Sequence, residues 1–196
     1  MIKTVKMIAL SLCASTMFIS CHSKSYYAAM TELKANEQII ENASSFDELD
    51  QVSGFWGFSE YLNGDEAAAV DNRARKTYER YRERAKEVSI GTYFLVSESS
   101  EQFKLELSNG MAKLYKNGIV HRKGEWDLPG KPNRRLCGAI RVNFTDGPID
   151  YIDNHGNLTI YTSSQLEKGN WNGEIDFKDN SNNSFKYIKG TYSFSK

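Results

Sequence analysis

The sequence predicts an α+β fold in which amino-terminal helices are followed by an antiparallel β-meander, curled into a barrel or a strongly curled sheet. The hydrophobic period is close to 3.6 residues up to about residue 90 and becomes 2 beyond it; these are the periods of an amphipathic helix and a half-buried strand. Asn-Gly and related dipeptides separate the alternating runs, as expected for strands joined by short hairpins.

We divide the chain into four segments. They are residues 1–20, an amino-terminal segment; 21–25, a short tether; 26–90, a helical segment; and 91–196, an antiparallel sheet or barrel packed with the helices as one domain.

The first twenty residues have the organisation of a bacterial export signal. Lys3 and Lys6 precede residues 7–19, which are apolar apart from three hydroxyl side chains, and this order matches the charged and apolar regions of a secretion signal. The apolar stretch is shorter than the roughly 20 residues that cross a bilayer. We therefore expect the segment to be removed on export.

Residues Phe18-Ile19-Ser20-Cys21 resemble the lipobox of bacterial lipoproteins, in which a small residue precedes a cysteine that is acylated and becomes the amino terminus. The resemblance covers only this first segment. It implies lipidation of Cys21, a membrane partner through the lipid anchor, and a place in the bacterial cell envelope. Because His22 rather than Asp follows the cysteine, analogy with enteric sorting favours the outer membrane over the inner one. The alternative is that Cys21 is a buried thiol and that the segment is a core helix. The position of the segment at the amino terminus, behind two lysines, argues against this alternative.

Charge and cysteine content exclude several classes of function. The chain has 25 basic and 25 acidic residues, so loss of Lys3 and Lys6 leaves a slight negative charge. Such a chain has no long-range field that attracts nucleic acid, and we expect no nucleic-acid partner. Removal of Cys13 and lipidation of Cys21 leave only Cys137, which excludes an internal disulfide. We interpret Cys137 as a small buried strand residue rather than a nucleophile.

The helical segment contains three stretches with different signals. Residues 26–42 carry apolar side chains on one face and predict a first helix. Ser45 and Glu48 have the spacing of a capping box and predict a helix start before Phe46. Residues 54–62 are compatible with a helix or a strand, because two glycines interrupt an aromatic run there.

The clearest helical pattern covers residues 65–88. Its apolar positions recur at spacings of three and four and are Ala67, Val70, Ala74, Tyr78, Tyr81, Ala85 and Val88. Seven basic side chains interleaved with glutamates occupy the other faces. Those faces could bind anionic headgroups or sulfated glycans, but a solvated surface with balanced charges is the favoured interpretation.

After Gly91 the alternation predicts eight or nine short antiparallel strands. Asn109-Gly110 and Asn117-Gly118 are the strongest hairpin signals. Further turns are expected at Asp146-Gly147, His155-Gly156 and Asn172-Gly173.

Within residues 91–196, glycine, any residue and an aromatic residue recur in this order four times, at Gly91, Gly124, Gly169 and Gly190. Glycine relieves crowding where a strand bends, and an aromatic ring can cover the gap. Pairing of the first and last strands would remove both sheet edges. The pattern is similar to the lipocalin-like barrels of envelope lipoproteins; an open curved sheet against the long helix is the alternative.

Catalytic motifs are absent from the sequence. His22, His121 and His155 form no paired metal motif, and neither a Gly-x-Ser-x-Gly elbow nor a glycine-rich phosphate loop occurs. Asp146, Asp150 and Asp153 could supply oxygen ligands to Ca²⁺, but their spacing does not match the calcium loop, and polar hairpin ends are favoured. We therefore expect no enzymatic activity, no metal site and no cofactor.

The aromatic side chains suggest a binding function. Trp126, Trp171, Tyr93 and Tyr192 are the candidate residues for binding a small apolar or amphipathic ligand, or a glycan, in the barrel or at its mouth. Core packing is the other interpretation of these rings. The alternative function is that of a structural or interaction subunit of an envelope complex, which would use the long helix and the basic loop at residues 128–135 as its contact face.

Overall fold

A computed structural model describes residues 22–128, 139–147, 155–162, 168–177 and 185–195. In these ranges the helices are α1 (Lys24–Asn42), α2 (Phe46–Leu49) and α3 (Gly64–Ser89). The strands are β1 (Gly91–Ser97), β2 (Gln102–Leu107), β3 (Met111–Lys116), β4 (Ile119–Asp127), β5 (Ala139–Phe144), β6 (Asn157–Tyr161), β7 (Lys168–Phe177) and β8 (Phe185–Ser195). The predicted α+β class with a strand meander is confirmed.

The eight strands form a closed antiparallel barrel. Each strand pairs with the next one in the chain, and β1 pairs with β8, with Leu95 opposite Tyr192. Because β1 pairs with β8, the sheet has no unpaired edge strand. Unpaired edges of open sheets can pair with other chains and cause aggregation. The predicted closure is therefore confirmed, and the open curved sheet does not form.

The barrel interior is filled by side chains from every strand. Inward positions alternate with outward ones, as the pleat of a strand requires. The apolar inward side chains are at most 5% exposed and are Tyr93, Leu95, Phe103, Leu105, Leu107, Ala112, Leu114, Trp126, Ile140, Val142, Phe144, Leu158, Ile160, Trp171, Ile175, Ile188 and Tyr192. Eight strands enclose a space just wide enough for such side chains. In the described strands the interior is therefore a packed core.

Two glycine and aromatic pairs fit together across β7 and β8. Trp171 lies opposite Gly190, and Tyr192 lies opposite Gly169. A Cβ atom added to Gly169 would lie 2.3 Å from a Tyr192 ring carbon, and one added to Gly190 would lie 2.6 Å from the Trp171 indole nitrogen. Each ring therefore occupies the space that the opposite glycine leaves. The glycine of the β7 motif makes room for the aromatic ring of the β8 motif, and the glycine of the β8 motif does the same for the ring of β7.

The hairpin signals were correct at most positions. Asn117 and Gly118 have φ angles of 53° and 78°, as a two-residue hairpin turn between β3 and β4 requires. The turn predicted at Asn172-Gly173 is wrong, because both residues lie inside β7. Gly173 instead allows a close approach of strands, since an added Cβ atom would lie 2.4 Å from the Asn157 carbonyl oxygen.

Each helix starts at a side chain that caps it. Ser23, Ser45 and Asn63 accept hydrogen bonds from backbone amides in the first turns of α1, α2 and α3, which satisfies donors that have no partner within the helix. Helix α1 starts at Lys24, inside the segment expected to be a tether. No helix among the described residues is long and apolar enough to cross a bilayer.

Residues 54–62 form neither a helix nor a strand but a series of turns and bends. Gly54 and Gly57 have φ angles of 143° and 94°, which interrupt either regular structure. The buried amide of Asn36 holds the start of this segment, because it donates to the Gly54 carbonyl at 2.7 Å and accepts from the Ser53 backbone at 3.2 Å. Both predicted alternatives for this segment are therefore wrong.

Helices α1 and α3 run parallel and form a two-helix strut. Contacts between them advance in the same direction along both chains: Ser23 binds Glu66, and the Ala43 carbonyl accepts from Arg84. The amino-terminal half of the strut has its own small cluster, formed by Ala29, Leu33, Val70 and Ala74. Both helix amino termini thus lie at one end of the strut, which we call the strut base.

The other end of the strut joins the barrel. Tyr78, Tyr81, Ala85 and Val88 of α3 belong to the same buried cluster as the barrel interior. At the surface, Lys86 lies 2.9 Å from Asp127 at the end of β4. The predicted apolar face of α3 is correct at six of its seven positions; Ala67 is only half-buried, whereas Glu66 is buried.

We predict that Gly190→Ala destabilises the barrel. The new Cβ atom would lie 2.0 Å from the Val96 carbonyl oxygen as well as against the Trp171 ring, and overpacking of this kind costs about 1–3 kcal/mol. Urea unfolding followed by tryptophan fluorescence measures the change in the free energy of unfolding. Gly64→Ala is the matched control, because an added Cβ atom there meets nothing within 4 Å. Equal stability of the two variants would contradict the close fit.

We predict that the contact between Glu66 and Ser23 at the strut base makes the stability of the fold depend on pH. The pKa of Glu66 lies below its ordinary value of 4.5, mainly because the Ser23 backbone amide donates to its carboxylate at 2.6 Å. The lowered pKa means that ionised Glu66 stabilises the fold above about pH 4.5 and that this stabilisation is lost as the pH falls through the folded-state pKa. Glu66→Gln should therefore lower the Tm at pH 7, and its difference from wild type should shrink below pH 4.5.

The matched control is Glu83→Gln, which removes an exposed carboxylate from the same helix. Thermal unfolding of the three proteins across this pH range is the measurement. A Glu66→Gln difference that stays constant down to pH 3 would show that the ionised carboxylate does not supply the stabilisation.

Candidate functional site

Four outward side chains form one row across the barrel wall. Val96 of β1 lies opposite Thr191 of β8, which lies opposite Asn170 of β7, which lies opposite Tyr161 of β6. Neighbouring strands are about 4.8 Å apart, so the row crosses four strands over about 14 Å. The register of the barrel thus brings together residues that are far apart in the sequence.

The row and its neighbours Phe94 and Ser193 line a groove. Its aromatic side chains lie on β1 and β6, and shorter polar side chains lie on β7 and β8 between them. We define the outer groove by Phe94, Val96, Tyr161, Asn170, Thr191 and Ser193. Its volume is about 670 Å³. A second cavity of about 600 Å³ shares four of these residues and continues along the wall toward Tyr187 and Lys189.

The outer groove is neutral and combines apolar walls with a polar floor. None of the nine residues that line its 670 Å³ cavity is charged. Phe94 and Tyr161 are 47% and 45% exposed, so much of each ring is open to a ligand. The hydroxyl of Tyr161 accepts a hydrogen bond from the Asn172 amide at 2.8 Å, which restrains the ring.

The structure places both predicted tryptophans in the barrel interior. Trp126 and Trp171 are 5% and 1% exposed. The Trp126 indole donates to the Ser108 carbonyl at 2.6 Å, and the Trp171 indole donates to the Thr191 carbonyl at 3.1 Å. Their single donors are thus already used within the protein.

The two predicted tyrosines are also interior. The Tyr93 hydroxyl donates to the Ser89 carbonyl at 2.8 Å, and the Tyr192 hydroxyl donates to the Tyr161 carbonyl at 3.3 Å. Burial raises the pKa of Tyr192 to about 12 and that of Tyr93 well above its ordinary value, so both hydroxyls stay protonated donors. Ligand binding by the four predicted rings stays a prediction. Tyr192 borders the outer groove, and Trp171 borders the cavity that continues it.

Sequence reasoning missed the outer groove, although β1 carries a signal for it. Phe94 and Val96 are apolar at outward positions between the inward Tyr93 and Leu95. A strand that is apolar on both faces needs a second apolar neighbour or a ligand. The partners of these residues across the sheet follow only from the register.

The remaining candidates form no second site in the described part of the chain. The ring nitrogen Nδ1 of His155 lies 3.1 Å from the Gly147 carbonyl oxygen, and Asp146 accepts from the Lys123 amide at 2.6 Å, as turn residues do. No group of three or more metal-binding side chains occurs among the described residues. Cys21, Cys137, Asp150, Asp153 and most of the basic loop lie outside those residues.

Comparison of the chain with protein-family profiles, curated proteins and solved structures gave no match.

Proposed function

We propose that the mature chain is a noncatalytic, lipid-anchored envelope protein that binds a neutral glycan in the outer groove. The observation that carries the proposal is the neutral lining of that groove, with two half-exposed rings beside an amide and two hydroxyl side chains. Aromatic rings can stack on the apolar faces of sugars, while amides and hydroxyls match their hydroxyl groups.

The lining favours a glycan over the two other ligand classes. A charged ligand would find no ion-pair partner among the nine residues that line the 670 Å³ cavity, so its desolvation there would be uncompensated. The charged side chains of Glu98 and Lys189 line the adjoining 600 Å³ cavity instead. A fully apolar ligand would cover Asn170, Thr191 and Ser193 without satisfying them, and a buried polar group left without a partner costs about 1–3 kcal/mol. A neutral glycan can stack on the aromatic rings of the walls and form hydrogen bonds with the polar side chains of the floor.

The outer wall is a better location for this ligand than the barrel interior. The sequence favoured a site inside the barrel or at its mouth. The inward positions of the described strands are filled, with apolar side chains at most 5% exposed, and binding there would require repacking of a dense core. The outer groove needs no such rearrangement.

The proposed cellular location rests on the amino-terminal segment of the chain. Two lysines, a short apolar stretch and Ser20-Cys21 support export followed by lipidation of Cys21. We propose the outer membrane as the location, since His22 follows the cysteine.

The alternative of an interaction subunit receives less support from the long helix. Several of its basic side chains already pair with carboxylates of the same chain: Arg73 lies 2.7 Å from Glu37, Lys86 lies 2.9 Å from Asp127, and Arg75 lies 3.4 Å from Glu79. A face with paired charges attracts an acidic partner less strongly than an unpaired one. The favoured interpretation of this face as a balanced surface agrees with these pairs.

We predict that Tyr161→Ala weakens glycan binding. Loss of a stacking ring costs about 0.5–1.5 kcal/mol, which raises the Kd about two- to tenfold. Isothermal titration with cellohexaose, maltohexaose, chitohexaose, xylohexaose and mannohexaose first identifies which backbone binds, and the same titration then compares the variant with wild type.

Tyr61→Ala is the matched control, because it removes an exposed tyrosine from outside the groove. It should leave the Kd unchanged. If no hexasaccharide of the panel binds, or if Tyr161→Ala binds as wild type does, the glycan proposal is wrong, and crosslinking in native membranes should then be used to look for a protein partner.

We predict that Cys21→Ser abolishes lipidation. Expression in a bacterium fed an alkyne-labelled fatty acid should label the wild-type protein and bring it into the detergent phase on phase separation, because two acyl chains hold a protein at a membrane. Cys21→Ser should be unlabelled. Cys13→Ser is the matched control and should be labelled like wild type, since Cys13 lies in the segment that we expect to be removed. Label on Cys21→Ser would refute this assignment.

A further inference from the structure

The chain directly after Cys21 is held against the strut. The Ser23 amide and hydroxyl donate to the Glu66 carboxylate at 2.6 and 2.8 Å, and the His22 Nδ1 lies 3.3 Å from the same carboxylate. Glu66 is buried on α3, only two residues after that helix starts. Any lipid on Cys21 is therefore attached within two residues of an ordered contact with both helices.

The strut base exposes aromatic side chains beside this attachment point. The His22 ring stacks on Tyr26 with centroids 4.1 Å apart, and Tyr27 packs edge-on against Tyr26 at 5.8 Å. Tyr27 is 54% exposed, and Tyr61, which lies two residues before the Asn63 cap of α3, is 87% exposed.

Tyr61 lies on the same part of the strut as the first turn of α1. Its neighbour Leu62 packs against the amino-terminal strut cluster, as Tyr26 does. Lys24 is exposed at the start of α1. Tyrosine rings with a nearby lysine are typical of the headgroup level of a bilayer, where the apolar ring and the polar group are both satisfied.

The strut separates its base from the barrel by a fixed distance. Arg82, whose guanidinium contacts Asp127 at the end of β4 and the Leu128 carbonyl just after it, lies sixteen residues after Glu66 on α3. At 1.5 Å of rise per residue this is about 24 Å of helix. The outer groove lies on the barrel, on strands β6, β7, β8 and β1.

We infer that the strut base, with Tyr27 and Tyr61, seats on the surface of the bilayer that holds the acyl chains of Cys21, so that the barrel is displayed at a fixed height above it. This inference rests on the proposed lipidation. Attachment through the adjacent cysteine gives the base a high effective concentration at the bilayer, so weak partitioning of two rings is enough to seat it. A flexible tether would instead let the barrel reorient freely.

The test uses the full lipidated protein, reconstituted into phosphatidylcholine vesicles with and without lipids brominated near the headgroup end of the acyl chains. Tyr61→Trp places a reporter at the base. Tyr187→Trp, which also replaces an exposed tyrosine but on β8, is the matched control. Tyr27→Trp is a second reporter in case the first variant does not fold. The emission of the unsubstituted protein is subtracted from each spectrum, and flotation on a density gradient confirms membrane association.

We expect bromine to quench the added emission of Tyr61→Trp about twofold, because its ring lies at the headgroup level, and to leave that of Tyr187→Trp unchanged. Equal quenching of the two reporters would overturn the fixed orientation in favour of a flexible tether. Flotation without quenching at the base would show that these rings do not reach the bilayer and would also overturn the inference. Protein that does not float would overturn the proposed anchor itself, and the inference with it.

Discussion

Two aromatic rings and two glycines face one another across β7 and β8, and the closed barrel depends on the fit between them. Trp171 and Tyr192 are large side chains that are 1% and 3% exposed, and an eight-stranded barrel has little interior space. The opposite glycines, Gly190 and Gly169, provide that space. Because β8 must also pair with β1, a side chain at either glycine would disturb the strand that closes the barrel.

The packed interior determines where the protein can present a binding surface. A wider barrel could hold a ligand inside, whereas here the described inward positions belong to one continuous core that extends into the helices. The outward residues of the strands then remain available, and those of β6, β7, β8 and β1 form the outer groove. Their register sets short polar side chains between aromatic ones, and this order produces the outer groove.

The parallel helices give the molecule two structurally distinct ends. Glu66 fixes the first residues of the described chain to the amino terminus of α3, while Tyr78, Tyr81 and Ala85 merge with the barrel core. A protein organised in this way can combine an anchor at one end with a binding surface at the other. The proposed functions of the base and of the groove are therefore separable, and each has its own test.

Most of the fold could be predicted from the sequence because its signals are local. The 3.6-residue period of α3, the capping box at Ser45, and the Asn117-Gly118 turn all act within a few residues. The segment at residues 54–62 could not be predicted, because its conformation depends on the buried amide of Asn36, which is distant in sequence.

The candidate site was much less predictable than the fold. Adjacent aromatic residues such as Tyr93 and Phe94 look alike in the sequence, but one faces inward and the other outward. Their direction depends on strand register, which is set by pairing over the whole barrel. The rings selected from the sequence were those of the glycine motifs, and these motifs place their rings inside.

A double-mutant cycle between Gly169 and Tyr192 tests the central fit most directly. All three atoms closest to a Cβ atom at Gly169 belong to the Tyr192 ring, so Gly169→Ala should cost about 1–3 kcal/mol in the wild type. In a Tyr192→Leu background that cost should fall close to zero, which would give a coupling energy of similar size. Equal costs of Gly169→Ala in both backgrounds would contradict the account, since the ring would then not be what the glycine accommodates.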